Sequence, residues 1–135
     1  MPPFITSFDT SLHHINLEFF ITDKTGIRHS VAGILDTGAP RTEFSDRFLA
    51  HTGMLPDIAS PGKADKGLQT AKYGKMIIPE AEICHHFMNN FEIIVSYFEE
   101  SWGVDALIGL DFFRENVVTV NYEKGIIISE PFGSR

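Results

Sequence analysis

Apolar and polar residues alternate along several short stretches of the chain. The stretch HINLEFFIT, residues 14–22, carries an apolar residue at every second position from Ile15 to Ile21, and residues 27–35 form a second extended run. A period of two is typical of a strand with one buried face. Because the intervening DKTG contains turn-forming residues, the two stretches predict a β-hairpin.

Strand patterns continue through the second half of the chain. Residues 76–84 and 91–98 predict two further strands joined by the segment HHFMNN, and residues 117–122 and 126–129 predict a last hairpin across EKG. Strands are therefore the main elements, and we expect an all-β protein.

Helix signals are few and local. Ser45 is suited to cap a short helix over DRFLAHT, and Gly53 is suited to end it. A later apolar strand ends at Gly109, and Asp111 is placed to cap one helical turn after it. Residues 56–67, rich in Pro, Gly and charged residues, predict a polar loop. The pattern thus predicts one or two short helices in a mostly β protein.

Length and charge narrow the classes of protein. The 135 residues suit a single domain over 1–135. The chain has 11 Lys and Arg against 18 Asp and Glu and no basic run that would follow phosphates, which argues against nucleic acid as a partner. No apolar run is long enough to span a membrane, and the first residues lack the basic and apolar segments of a secretory signal. With only one cysteine, these features predict a cytoplasmic protein that does not bind membranes.

Histidine pairs occur at 13–14 and 85–86. Histidine is a common metal ligand, but neighbouring residues of a strand point to opposite faces, so each pair offers one ligand per face. We interpret these residues as solvated histidines of loops or strand ends, and no metal is predicted. Cys84 lacks the glycine-bearing turn of a nucleophile and is interpreted as a small buried residue.

The chemically distinctive stretch is GILDTGAPRTEF, residues 33–44, in which an apolar strand runs into Asp36, Thr37 and Gly38. An acid at a strand end is commonly a turn former or a helix cap, which is one interpretation of Asp36. Catalysis is the other, since Gly38 lets backbone N–H groups approach the carboxylate and Thr37 supplies a hydroxyl. Hydrolysis needs an acid and a base, which two close carboxylates sharing a proton provide. The second carboxylate is missing from this loop.

The segment ILDTGAPRTEF resembles the active-site loop of retropepsin-like aspartic proteases, in which two apolar residues precede Asp-Thr-Gly-Ala and a Thr follows three positions after that Ala. DALIGLDFF is similar to the second signature of that family, an apolar-apolar-Gly segment that passes beneath the loop and enters a short helix. The resemblance covers about residues 15–129, because the strands before, between and after the signatures also lie where the family has them. It implies a closed β-barrel that carries half of an active site per chain.

Through this resemblance, a two-fold homodimer supplies the missing acid, because Asp36 and its copy form a dyad at the axis. Thr37 is expected to interlock with the opposing loop, and Gly38 to help form the backbone cradle of the dyad. One Asp36 acts as the base on a water while its protonated copy donates to the carbonyl oxygen of a peptide or protein substrate. The implied activity is that of an aspartic endopeptidase, without a metal or another cofactor.

The resemblance also indicates where substrate binds. Residues 67–80 lie where the family has its flap, a hairpin that closes over the substrate, and we expect its tip at Thr70–Lys75. An ordinary exposed hairpin turn is an equal interpretation. The residues expected to contact substrate are Ala39, Pro40, Arg41, Thr70, Ala71, Lys72, Tyr73, Gly74 and Ile108.

Pro40 departs from the family pattern, which has a polar residue at this position. Since proline lacks an N–H, a backbone hydrogen bond to substrate is lost. This loss favours either a protease of changed substrate preference or, as the alternative, a catalytically weak or inactive dimeric module of the same fold that binds peptides or proteins. Arg41 has three interpretations: an ion pair with Asp111 or with an acid of the second subunit, a solvated side chain, or a residue that selects acidic substrates.

Overall fold

The computed structural model describes residues 3–54, 65–66 and 71–133, and of 65–66 and 71–73 only the backbone. Most of the predicted polar loop 56–67 lies outside the described residues. The strands are β1 (Phe4–Ser7), β2 (Asn16–Thr22), β3 (Arg28–Leu35), β4 (Glu43–Ser45), β5 (Asp65–Lys66), β6 (Ala71–Ile83), β7 (His86–Tyr97), β8 (Ala106–Ile108), β9 (Asn116–Asn121) and β10 (Ile126–Pro131). The helices are α1 (Asp46–Thr52), α2 (Leu110–Phe113) and a one-turn 3-10 helix (Glu100–Trp102).

Six strands close into a barrel. They are hydrogen-bonded in the order β2-β3-β8-β4-β7-β6, and β6 pairs again with β2, while β5 extends the sheet beside β6. Strands β1, β10 and β9 form a separate antiparallel sheet, called the small sheet below. The all-β class and the closed barrel with short helices are confirmed.

The predicted hairpin of β2 and β3 is present, with Leu17 paired to Gly33 and Ile21 paired to His29. In its turn the Asp23 carboxylate accepts hydrogen bonds from the Thr25 hydroxyl at 2.6 Å and from the amides of Thr25 and Ile27 at 2.9 and 3.0 Å. It also contacts His29 Nε2 at 2.9 Å. The hydrogen bond from the Thr25 side chain, followed by the one from His29, lowers the pKa of Asp23 well below its usual range.

The connection between β6 and β7 differs from the prediction. Rather than the six-residue segment HHFMNN, two residues make the turn, Cys84 at φ 50° and His85 at φ 70°, and β7 begins at His86. Two left-handed residues in succession are the mark of a two-residue hairpin turn whose twist suits the flanking strands. The prediction missed it because such turns usually carry Asn or Gly.

The capping of α1 follows the prediction. The Ser45 hydroxyl accepts a hydrogen bond from the Phe48 amide at 3.4 Å, and Gly53 ends the helix in the left-handed conformation at φ 79°. This helix packs its buried Leu49 against the barrel, whose interior forms the core. The largest fully buried side chains are Phe19, Ile21, Val31, Phe44, Leu49, Ile78, Ile83, Ile93, Phe98, Ile108, Phe112 and Ile127.

Candidate active site

Asp36 lies directly after the last residue of β3, on a loop at the barrel surface. Its amide donates to the carbonyl of Ile108 in β8 at 2.9 Å, which ties the start of the loop to the neighbouring parallel strand. The Asp36 carboxylate is half-buried and accepts a hydrogen bond from the Gly38 amide at 2.8 Å. Thr37 and Gly38 are exposed in the single chain. The loop therefore holds one acid at an open surface and keeps it oriented through a backbone N–H.

Gly109 supports this loop from below, where the chain leaves β8. Its amide donates to the Thr42 hydroxyl at 3.1 Å, and the next amide, that of Leu110, donates to the Ala39 carbonyl at 2.8 Å. A Cβ placed on Gly109 would lie 2.5 Å from the Arg41 carbonyl carbon and 2.6 Å from the Ala39 oxygen. Only glycine permits this close passage of the two backbones.

Thr42 and Asp111 form the main side-chain link beneath the loop. Thr42 is fully buried and donates to the Asp111 carboxylate through its amide at 2.9 Å and its hydroxyl at 2.7 Å. The cap of α2 is Gly109, without a side-chain hydrogen bond, so the prediction that Asp111 caps this helix is wrong. Asp111 instead lies in the first turn, where its carboxylate also accepts from the Phe112 amide at 3.0 Å. Thr42 belongs to the loop pattern that the sequence shows, but its partner Asp111 lies 69 residues further along the chain. The sequence pattern therefore does not indicate this pair.

Arg41 pairs with Glu92 of β7, with Arg41 Nη1 2.6 Å from Glu92 Oε1, and both side chains are nearly half exposed. The interpretation that Arg41 pairs with Asp111 is therefore wrong. An exposed pair of this kind contributes at most about 1 kcal/mol. Pro40 is exposed, and its carbonyl accepts a hydrogen bond from Arg114 Nη1 at 3.3 Å.

The cavity that contains Asp36 has a volume of about 530 Å³. Its other walls are mostly apolar and come from the chain just before β2, from the strand before the loop, from the chain between β7 and β8, and from β8 itself. They are His14, Ile34, Leu35, Trp102, Val104 and Leu107. The pocket therefore offers an apolar surface beside a carboxylate.

Sequence reasoning missed most of this pocket. Ile108, which was expected to contact substrate, is fully buried and contributes its carbonyl to Asp36. The neighbouring Leu107 lines the pocket instead, because successive residues of β8 point to opposite sides. Trp102 ends the 3-10 helix and contacts Phe98, with ring centroids 5.7 Å apart. The alternation of side chains along the strand DALIG indicates that Leu107 points away from the side on which Ile108 is buried. No local pattern in the sequence indicates that Trp102 lines the pocket.

The predicted flap is only partly described. Ala71–Lys75 belong to β6 and pair with β7 from Tyr97 to Ile94, with a register shift between Lys72 and Gly74. The prediction that Ala71–Lys75 form a turn tip is therefore wrong, because strand pairing continues through them. Gly67 and Thr70 lie outside the described residues. By contrast, the structure brings together the predicted residues Asp36, Thr37, Gly38, Ala39, Pro40, Arg41 and Ile108 where β3 and β8 end.

The remaining chemistry-bearing residues lie elsewhere. Cys84 is buried, and this burial raises the pKa of its thiol, so the interpretation as a small buried residue is confirmed. His85 is exposed, but His86 is only 7% exposed, so the interpretation of both as solvated histidines is wrong for His86. Within residues 3–54, 65–66 and 71–133, no group of His, Cys, Asp or Glu is arranged to hold a metal ion.

Solved structures of the same architecture include a retropepsin-like aspartic protease from Rickettsia conorii, with a TM-score of 0.61 and 14% identity over 94% of this chain and 89% of that protein. The retroviral protease-like domain of Ddi1 from Leishmania major is also similar, with a TM-score of 0.59 and 15% identity over 92% of this chain and 99% of that domain. No protein-family model and no curated protein sequence matches the chain. The chain has the retropepsin-like fold. No helix of its described part is long and apolar enough to cross a membrane.

Proposed function

We propose that this protein is a homodimeric aspartic endopeptidase whose active site combines Asp36 from two copies of the chain. The observation that carries the proposal is the Asp36 loop itself. A carboxylate oriented by the Gly38 amide at 2.8 Å lies beside an apolar pocket, on a loop braced by Gly109 and Thr42. The resemblance of two solved protease domains in fold supports the same conclusion.

A second copy is needed because the described part of one chain offers no second acid for the loop. Asp111, the nearest acid along the supporting segment, is bonded to Thr42. A two-fold axis beside an exposed loop brings each residue close to its own copy, so one acid per chain becomes a pair. In this arrangement the exposed Thr37 and Gly38 meet the partner loop, which accounts for their lack of cover in the single chain.

The chemistry follows from the close approach of two carboxylates. They cannot both ionise readily, so the pair retains one proton and titrates as a unit. The ionised Asp36 removes a proton from a water as its oxygen bonds to the carbonyl carbon, and the protonated copy donates to the carbonyl oxygen. The resulting gem-diol collapses when the leaving nitrogen takes a proton from the protonated carboxyl, a gem-diol hydroxyl gives its proton to the ionised carboxylate, and the C–N bond breaks, which leaves the dyad with one proton again. No covalent intermediate forms between enzyme and substrate.

Peptides or proteins with a large apolar side chain next to the cleaved bond are the proposed substrates. Ile34, Leu107 and Trp102 offer the apolar surface for such a side chain in the pocket that contains Asp36. We also propose that residues 67–80 act as the flap and that the protein is cytoplasmic, the latter on its single cysteine.

A second candidate function, peptide binding without cleavage, is favoured by Pro40. The missing N–H removes a substrate hydrogen bond that has a net value of about 1 kcal/mol, which weakens binding on each side of the axis. That loss is compatible with catalysis. Retention of a close acid pair in a module without activity is harder to explain, because such a pair destabilises the interface that contains it.

Cleavage of a diverse peptide library between pH 3 and 8 tests the proposal. The purified chain is compared with Asp36→Asn, and with Glu123→Gln as a matched carboxylate-to-amide control at an exposed turn. Sedimentation measures the dimer content of each sample. We expect cleavage by the wild type and the control and none by Asp36→Asn at equal dimer content. Cleavage that persists in Asp36→Asn refutes the dyad, and a confirmed wild-type dimer that cleaves nothing supports the binding module.

A further inference from the structure

His86 connects the barrel to the small sheet. It is the first residue of β7 and is 7% exposed, and its Nε2 shares a hydrogen bond of 2.8 Å with the hydroxyl of Ser129 in β10. Ser129 is fully buried. A polar pair in the interior, between two separate sheets, is a specific docking contact, because each group loses its water and depends on the other.

Aromatic rings enclose the imidazole. Phe4 of β1 is the register partner of Ser129, and its ring lies edge-on to His86 with centroids 5.1 Å apart. Phe112 of α2 packs on His86 at 5.9 Å. The Phe4 ring also contacts His85 at 5.6 Å. Strand β1 therefore docks against both histidines through one side chain.

The turn that presents these histidines is strained. Cys84 and His85 both have positive φ, a conformation that is unfavourable for a residue other than glycine. Such strain persists only where the surroundings hold it. Here Cys84 is buried beneath the turn and the Phe4 ring lies against His85, so the turn geometry and the docking of β1 support each other.

In the described part of the chain, no carboxylate lies within ion-pair distance of His86. A positive charge on its imidazole is therefore not offset by an acid. In α2, Asp111 is bonded to Thr42. In β10, Glu130 follows the inward-facing Ser129 and points to the opposite face. Strand β6 presents the apolar Ile83 opposite His86, and β1 presents Phe4.

His85, the neighbouring residue, is titratable, and a charge on it repels an imidazolium at His86. Burial, with a further contribution from His85, lowers the pKa of His86. Neutral His86 is thus the form that the folded chain favours.

We propose that His86 is a pH-sensitive latch, and that its protonation weakens the docking of the small sheet on the barrel, beginning with β1. The imidazolium keeps a donor for Ser129 but places an unpaired charge among aromatic rings. Strand β1 opens first because it is a four-residue edge strand with β10 as its single neighbour in the small sheet. This latch does not depend on the proposed protease activity.

The direction of the pH effect follows from linkage. A histidine whose pKa is lowered by folding stabilises the folded state at pH values above the pKa of its unfolded form, which is about 6.5. That contribution is lost as the pH falls from about 6.5 toward the folded value, because the unfolded or undocked form takes up the proton. The latch is therefore closed at neutral pH and loosens in mild acid.

Hydrogen exchange of backbone amides, corrected for intrinsic rates, tests the latch between pH 7.5 and 5.0. We expect protection of β1 and the facing part of β10 to fall several-fold in wild type while β8 keeps its protection. In His86→Gln, which retains a neutral hydrogen-bonding side chain for Ser129, the pH dependence should disappear. His13→Gln, a matched change at an exposed histidine, should behave as wild type.

A wild-type measurement keeps the inference testable if His86→Gln does not fold. The His86 ring of the folded chain is titrated by NMR, and the protection of β1 should fall between about pH 6.5 and the midpoint of that titration and level off below it. An unchanged pH dependence in folded His86→Gln overturns the latch, as does a loss of protection in β1 that continues well below the NMR midpoint, or an equal loss of protection throughout the barrel. No substrate is used, so a failed test of cleavage leaves this result unaffected.

Discussion

Replacement of Gly109 by alanine tests whether the passage of β8 beneath the Asp36 loop is as tight as its backbone contacts indicate. The added Cβ would lie 2.5–2.6 Å from three backbone atoms of Ala39 and Arg41, well below the 3.0 Å that real Cβ atoms observe. Gly109 has φ −95° and ψ −170°, which any residue adopts, so the expected damage is steric and not conformational.

The expected loss of stability is at the upper end of the range for overpacking. Backbone atoms cannot rotate away as a side chain does, and overpacking a well-packed site typically costs 1–3 kcal/mol, so we expect about 3 kcal/mol. Because the Ala39 oxygen that meets the new Cβ also accepts the Leu110 amide, its displacement strains that hydrogen bond too. For a chain of this size the melting temperature should fall by about 10 °C.

Calorimetry and urea denaturation of wild type and Gly109→Ala measure this effect. Gly74→Ala is the matched control for stability, since its Cβ would meet no atom within 4 Å and its φ is not positive. We expect the control to change the unfolding free energy by no more than about 0.5 kcal/mol. A Gly109→Ala protein that melts within about 2 °C of wild type would refute the close approach.

Two further predictions concern polar groups. Thr42→Val keeps the shape but removes the hydroxyl that bonds Asp111 and Gly109, so we expect it to lower the unfolding free energy by about 2–3 kcal/mol in urea. Thr42→Ser, which keeps the hydroxyl, should lose clearly less, and equal losses would count against the hydrogen bonds. Asp23, whose pKa is lowered by Thr25 and His29, stabilises the fold above its unfolded pKa of about 4, and this contribution is lost as the pH falls below that value. The urea midpoint should thus fall less steeply between pH 5 and 2 in Asp23→Asn than in wild type, whereas parallel curves would contradict the assignment.

Local signals account for the elements that sequence reasoning predicted well. The alternation in 14–22, the DKTG turn and the Ser45 cap each act within a few residues, and each is found in the structure. The Asp-Thr-Gly loop was also recognisable, because its residue types and order are contiguous. The resemblance to retropepsin-like proteases added the closed barrel, which the strand pairing confirms.

Other features depended on residues that are distant along the chain. Asp111 has the residue type of a helix cap, but its carboxylate accepts hydrogen bonds from the amide and the hydroxyl of Thr42. Because Thr42 is fully buried, water cannot replace Asp111 as the partner of these groups. Arg41 reaches Glu92 on β7 rather than Asp111. Cys84 and His85 form a tight turn that their residue types do not favour, since pairing of the long strands β6 and β7 on either side holds it.

The sequence by itself determined the strand periodicity, the two caps of α1 and the acid-bearing loop, because these depend on interactions within one turn or one strand. Tertiary structure decided which side chains share the pocket of Asp36, which partner Asp111 takes, and that His86 is buried while His85 is exposed. The physical reason is that burial and hydrogen-bond competition depend on which strands become neighbours, and strand order in a closed barrel is set by the packing of the whole core.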